Sequence, residues 1–147
     1  MSEAPLFEVI ICDNEELIQQ CLTVRYKVFI EEQGYPPEEE VDDWDKESIH
    51  FLLRQLPSKK PVGTTRFYPP KSKLGRLAVL PECRGLGYGV TLCNELKKYV
   101  VHIGGHSYIA ASSQEPKIGF YSKLGYKEEG DIYLDGGQPH KLMKLFL

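Results

Sequence analysis

Apolar positions along the chain change their spacing several times, and each change marks an element. The opening stretch PLFEVIICD is apolar and rich in β-branched residues, which suits a short strand. Asp13 or Asn14 then caps a helix. In EELIQQCLTVRYKVFIEEQ the residues Leu17, Ile18, Cys21, Leu22, Val28 and Phe29 recur at three- and four-residue intervals, which gives this helix one buried face. Arg25 and Glu32 fall on that same face. A charge on the core side of a helix is either paired or borders a cavity. Two readings therefore stand side by side: a buried Arg25–Glu32 brace, or a pair of pocket-lining charges.

The next segment, GYPPEEEVDDWDKES, reads as an exposed loop with solvated acids and one anchoring aromatic, Trp44. Two strands follow, IHFLLRQL and PVGTTRFYP, joined by the turn residues PSKK. A third, KLGRLAVL, runs into the glycine-rich stretch LPECRGLGYGV. The helix VTLCNELKKYVVHI places Leu92, Cys93, Leu96 and Val100 inward and Lys97 and Lys98 outward. SYIAAS then reads as a buried strand, and EPKIGFYSKLG as a short helix ended by Gly125. YKEEGDIYL and HKLMKLFL complete the chain as strands about the turn DGGQ. Runs of adjacent strands between helices predict an α+β fold. Its centre is a mixed, mostly antiparallel twisted sheet flanked by helices, not a doubly wound parallel one.

Composition narrows the function. A chain of 147 residues accommodates one core, so residues 1–147 are expected to form a single domain. The net charge of −3 is spread along the chain with no basic stripe, which argues against a nucleic-acid partner. The N-terminus has no basic leader and its apolar run is too short to span a bilayer, so a soluble, cytoplasmic protein with no membrane partner is expected. Cys12, Cys21, Cys83 and Cys93 form no C-x-x-C pair, which leaves no basis for a metal site or redox dithiol. The apolar C-terminal KLMKLFL is either a covered strand or the edge of a homodimer.

The chemistry concentrates in the glycine loop. A strand that ends in a glycine-rich turn opening a helix presents free backbone N–H groups and the positive end of the helix dipole, and these attract phosphate. A P-loop needs Gly-Lys followed by Ser or Thr, which is absent, and the dinucleotide fingerprint needs a wider glycine spacing in a βαβ unit. What remains is R-x-x-G-x-G, written here Arg84, Gly85, Leu86, Gly87, Tyr88, Gly89.

Together with the later GFYSKLGYKEEG, the stretch GRLAVLPECRGLGYGVTLCNEL resembles the acyl-CoA-binding and C-terminal motifs of the GNAT superfamily of acyl-CoA-dependent N-acyltransferases. The first half, with RYKVFIEEQ, and the terminal DGGQPHKLMK resemble a small stand-alone branch of it. The resemblance implies acetyl-CoA as cofactor and a GNAT fold. Residues 84–89 would hold the pyrophosphate, and Leu77, Ala78 and Val79 would pair with the pantetheine arm as an added strand would. The Val79 amide would polarise the thioester carbonyl. Tyr121 matches the family's general acid, and Gln114 stands where the family commonly has Asn near the pantetheine.

The acceptor side carries less signal. Direct attack needs a neutral amine and so a base. Glu32, His50 and His140 are the candidates, with Arg25, Phe29 and Arg66 as further residues facing the substrate. Arg25 and Arg66 would make the pocket positive enough for a carboxylate or phosphate on the substrate. The expected activity is acetyl transfer to a primary amine of a small molecule, ahead of a peptide, without a metal. Two alternatives are a non-catalytic acyl-CoA sensor and a binding domain whose glycines only serve turns.

Overall fold

The computed structural model describes residues 5–147. Residues 1–4, where the expectation of no basic leader begins, lie outside them. Strand β1 (Phe7–Ile11) leads into helix α1 (Glu15–Arg25), which continues as a π-helical stretch, Tyr26–Glu32. Asn14, not Asp13, is the cap: its side-chain oxygen accepts the N–H of Leu17 at 2.9 Å. The wider winding after Arg25 shows in the N–H of Gln33, which reaches back five residues to the carbonyl of Val28.

The presumed loop then folds into a short helix α2 (Pro37–Glu40) and a 3₁₀ turn, Asp43–Glu47. Strands β2 (Ile49–Gln55), β3 (Lys60–Tyr68) and β4 (Lys73–Val79) follow, then α3 (Tyr88–Ile103), β5 (Tyr108–Gln114), α4 (Ile118–Lys123), β6 (Lys127–Asp135) and β7 (Gln138–Phe146). The seven strands form one sheet in the order β1-β2-β3-β4-β5-β7-β6, with β4–β5 as the parallel pair. The architecture is the mixed, mostly antiparallel α+β arrangement that the strand order predicts.

Alternation along β3 sets the layers. A Cβ at Gly63 would meet Leu92 of α3 at 3.0 Å, whereas the next residue, Thr64, faces Cys21 of α1. The two long helices therefore cover opposite faces. The core joins Val24, Phe51, Leu53, Phe67, Leu74, Leu92, Leu96, Ile109 and Met143. Strand β7 runs between β5 and β6, so the apolar C-terminus is a covered strand. The edge strands are instead β1 and β6, and β6 is exposed along its whole length. No helix among the described residues is long and apolar enough to cross a membrane.

One irregularity positions the site. Strands β4 and β5 pair only at Lys73–Ala110 and Leu74–Ala111, and then part. A bulge in β4 opposite Thr64–Arg66, with Arg76 at φ 51°, bends the strand away. The gap that opens is a cleft of about 1500 Å³.

Candidate functional site

One wall of the cleft is β4 and the loop after it. Past Leu74, β4 keeps β3 on one side and has no strand on the other. Leu80 donates its N–H to the Val62 carbonyl of β3 at 2.9 Å. Successive amides alternate in direction, so the N–H of Val79 points to the open edge. Leu77, Ala78 and Val79 all border the cleft.

The loop completes this wall. Gly85 (φ 85°) and Gly87 (φ 80°) adopt left-handed backbone that only glycine takes without strain. Gly89 is excluded from carrying a side chain for another reason, because a Cβ there would press on the Phe120 ring at 3.3 Å. The first N–H of this segment to find a helical partner is that of Thr91, on the Gly87 carbonyl at 3.0 Å. Ahead of it, the amides of residues 85–90 have no hydrogen-bond acceptor among the described residues. A run of unsatisfied donors at the start of a 16-residue helix is an anion cradle. Gly85, Gly87, Tyr88 and Gly89 line it, and exposed Leu86 points away from the cleft.

Arg84 sits at the rim. Its Nε donates to the Val79 carbonyl at 3.1 Å, and its two terminal nitrogens grip both oxygens of Glu32 at 2.6 Å. That grip holds the Glu32 carboxyl below its usual range. Glu32 thus faces the cleft as an ion-pair partner of the loop, neither bracing Arg25 nor poised as a base.

Tyr121 of α4 lies on the same cleft, 7% exposed, with its ring against Phe120 and Tyr126. Its hydroxyl makes no hydrogen bond, yet it is not among the sealed, unpartnered polar atoms, which among the described residues are Gln20 Oε1 and the Tyr126 hydroxyl. Burial pushes the phenol well above its ordinary value, so it stays protonated through the neutral range. Cys83 also borders the cleft, and burial raises its thiol above its ordinary value, which works against the thiolate.

The opposite wall comes from residues 26–47 and the β6–β7 turn. Arg25, 1% exposed, does not border the cleft: its Nε and Nη2 take both oxygens of Glu40 at 2.6 and 2.8 Å, and its Nη1 takes Asp45 at 2.7 Å. Arg66 does border the cleft, with its charge met by Asp42 at 2.7 Å and Asp45 at 2.6 Å. Arg76 adds contacts to the Glu40 carbonyl and to Asp42. Three guanidinium groups thus face three carboxylates, and the cluster as a whole is neutral. The positive pocket expected from Arg25 and Arg66 is not there, because the acids read as solvated fold back onto them. Burial works against ionisation of Asp45, but the Arg25 hydrogen bonds outweigh it and hold that carboxyl well below the usual range.

His50 is 2% exposed and lies behind this cluster, off the cleft, donating Nε2–H to the Asp45 carbonyl at 2.8 Å. Burial lowers its imidazole. Phe29 and His140 do line the cleft. So does Gln114, whose amide nitrogen is engaged by Gln33 at 2.8 Å and the Tyr35 hydroxyl at 3.3 Å, which turns it toward this wall. Tyr35 in turn packs where a side chain on Gly136 would sit, at 2.5 Å.

Two features here were not read from the sequence as parts of the site. Trp44 stacks on Tyr68 with centroids 4.2 Å apart, a floor that only the folded 3₁₀ turn can build. Lys73 lies on the cleft with its Nζ 5.5 Å from the Trp44 ring centre and no carboxylate at ion-pair distance among the described residues. Burial lowers its ammonium. Its signal was a lysine opening a strand, which looks like any solvent residue until β4 and β5 part beside it.

Comparisons with known proteins bear on the family and the fold. The model of the "Acetyltransferase (GNAT) family" matches residues 15–126. The N-acetyltransferase YjcF of Bacillus subtilis, itself uncharacterized, is 34% identical over 139 residues, covering 92% of this chain and 97% of that one. Among solved structures, a Lactobacillus plantarum protein superposes with a TM-score of 0.88 at 23% identity, covering 97% of this chain and 99% of its own. An acyl-CoA N-acyltransferase from Pseudomonas aeruginosa gives 0.79 at 19%, covering 95% and 98%. At these identities the two structures speak for the fold.

Proposed function

From membership of the GNAT acetyltransferase family, to which this chain belongs, we propose that it transfers an acetyl group from acetyl-CoA to the primary amine of a small molecule. One observation carries the reading: the unpaired edge of β4, the row of free amides at residues 85–90 and the hydroxyl of Tyr121 all open on one cleft. The pyrophosphate of coenzyme A fits the amides, with Arg84 as a charge-assisted donor at their edge. The pantetheine arm, itself an extended amide chain, fits the open edge of β4 as an added strand. The Val79 N–H then meets the thioester carbonyl, where it stabilises the oxyanion that develops on attack. Tyr121, kept protonated by burial, supplies a proton to the departing sulfur.

The acceptor enters between this wall and the Trp44–Tyr68 floor. Lys73, a cation there with no carboxylate at ion-pair distance among the described residues, favours an acceptor that carries an anionic group as well as its amine. Raised by burial, the Cys83 thiol favours direct attack over a covalent enzyme intermediate.

Calorimetry with acetyl-CoA tests the donor site. The wild type is expected to bind, and Arg84→Ala combined with Gly87→Val to bind at least tenfold more weakly. A folded wild type without affinity would reduce the loop to a structural turn. Thiol release with α-amino acids and with their decarboxylated amines then tests the acceptor. Lys73→Met should raise KM for the amino acids about tenfold and leave the plain amines unchanged. Equal effects on both sets would remove Lys73 from recognition.

A further inference from the structure

We infer that His140 is the general base that takes the proton from the acceptor amine, an assignment that rests on the acyl-transfer reading above. His140 stands on β7, paired with Gln114 of β5 on one side and Tyr133 of β6 on the other, where the three strands close the acceptor end of the cleft. Its side chain is 6% exposed. Nδ1 lies 2.8 Å from the Gln138 carbonyl. A carbonyl only accepts, so Nδ1 carries the hydrogen and the neutral ring keeps its lone pair on Nε2.

That nitrogen is unclaimed. It has no hydrogen-bond partner among the described residues, and it is not one of the buried polar atoms sealed without one. His140 borders the cleft, and the assignment places the open side of Nε2 there. This is the arrangement a base needs: one ring nitrogen held by the backbone, which fixes tautomer and orientation, and the other presented to substrate.

The competing groups are occupied elsewhere. Glu32 is held by Arg84 through both oxygens. His50 spends Nε2 on the Asp45 carbonyl, away from the cleft. His106 is off the cleft, its Nδ1 against the Ser72 hydroxyl. Glu39, Glu115 and Asp135 border the cleft but are exposed to solvent, with no partner fixing their orientation toward it among the described residues. The titratable groups on the elements packed about His140 are Tyr133 and Asp135 of β6, Glu115 after β5, Lys141 on its own strand, and Tyr35 against the β6–β7 turn. The Tyr133 ring lies 6.1 Å from the imidazole, and burial keeps its phenol protonated.

The protons balance as follows. The acceptor ammonium gives one proton to Nε2, and the freed nitrogen lone pair forms the C–N bond at the thioester carbon. The C–S bond breaks and the sulfur takes the proton of Tyr121. A second proton leaves nitrogen as the amide forms and Tyr121 is reprotonated. The net products are the amide, the thiol and one proton released to solvent.

Steady-state kinetics of wild type and His140→Gln, with acetyl-CoA and the amines above across pH 5–9, test the assignment. The wild-type kcat/KM is expected to fall on the acid side, as it does for any reaction that needs a free base. In His140→Gln it should be about 100-fold lower at neutral pH, with no imidazole limb and unchanged acetyl-CoA affinity by calorimetry. A variant within threefold of wild type that keeps the same pH profile overturns the assignment, as does a loss confined to thermal stability. If the variant does not fold, carbethoxylation of the folded wild type by diethyl pyrocarbonate, mapped by peptide mass, decides instead. His140 should react, and activity should fall in step. An unreactive His140 beside a modified, exposed His102 overturns the inference. A wild type that binds acetyl-CoA but acylates no amine overturns the acyl-transfer reading itself.

Discussion

The two walls of the cleft are held by different physics. The donor wall is backbone: an unpaired strand edge and a row of free amides, shaped by two left-handed glycines and needing almost no side-chain chemistry. Opposite it, the acceptor wall is side chains, namely three arginines locked to three acids, an aromatic stack and a histidine on its carbonyl. A backbone site recognises what every acyl-CoA shares, whereas a side-chain site can be changed one residue at a time. The difference assigns the common chemistry to one wall and the choice of acceptor to the other. It also separates what damage to each does: breaking the ion-pair cluster of the acceptor wall should cost the fold, and breaking the donor wall should cost binding or turnover while the fold stands.

The largest expected effect tests that separation directly. Arg25→Met leaves Glu40 and part of Asp45 as buried acids without their partner, which costs about 3–5 kcal/mol in urea denaturation. Arg84→Met removes a pair whose side chains are 40% and 35% exposed, and should cost less than about 1 kcal/mol. Equal losses would erase the distinction between the walls. Acid exposes the same asymmetry. Asp45 titrates lower in the folded protein than in the unfolded chain, so its contribution is complete above the ordinary carboxylate range, near pH 4, and drains away as pH falls below it. Wild-type stability should drop steeply in that window, and the slope should flatten in Arg25→Met.

Next in size is catalysis on the donor wall. Tyr121→Phe removes a proton donor while filling the same space, and should lower kcat about 100-fold with acetyl-CoA affinity intact. Cys83→Ala, on the same wall, should leave turnover within twofold. Loss of activity in the cysteine variant with survival of the tyrosine variant would replace direct attack by a covalent route.

The same division explains what could be read from the chain. The donor wall was legible because its signal is local. Arg84, Gly85, Gly87 and Gly89 fall within six residues of one loop, and the strand before them and helix after them follow from apolar spacing alone. The acceptor wall was not, since Arg25, Arg66 and Arg76 lie on three separate elements and meet their acids across 15 to 36 residues of chain. No periodicity encodes such pairing, and an acidic run beside two prolines looks solvated until the arginines are placed. The π-helical winding of Tyr26–Glu32 had the same effect on Glu32: helical spacing put it on one face with Arg25, whereas the wider turns hand it to Arg84. The parting of β4 and β5 was equally hidden, because a strand that loses its partner halfway has the same residues as one that keeps it.

Glu32 joins the two walls, and the smallest expected effect lies there. Its carboxylate holds Arg84 by two 2.6 Å contacts in the half-exposed rim of the cleft. A pyrophosphate entering the loop must compete for the same guanidinium and also meets the negative charge beside it. Glu32→Gln removes both obstacles, so acetyl-CoA should bind about two- to fivefold more tightly at low ionic strength, a gain of up to about 1 kcal/mol that added salt diminishes. Turnover at saturating substrate should stay within twofold, because the lone pair that accepts the proton lies on His140. A 100-fold loss of kcat with unchanged affinity would reverse that assignment, moving the base onto the first helix and leaving the histidine as a strand residue held by its carbonyl.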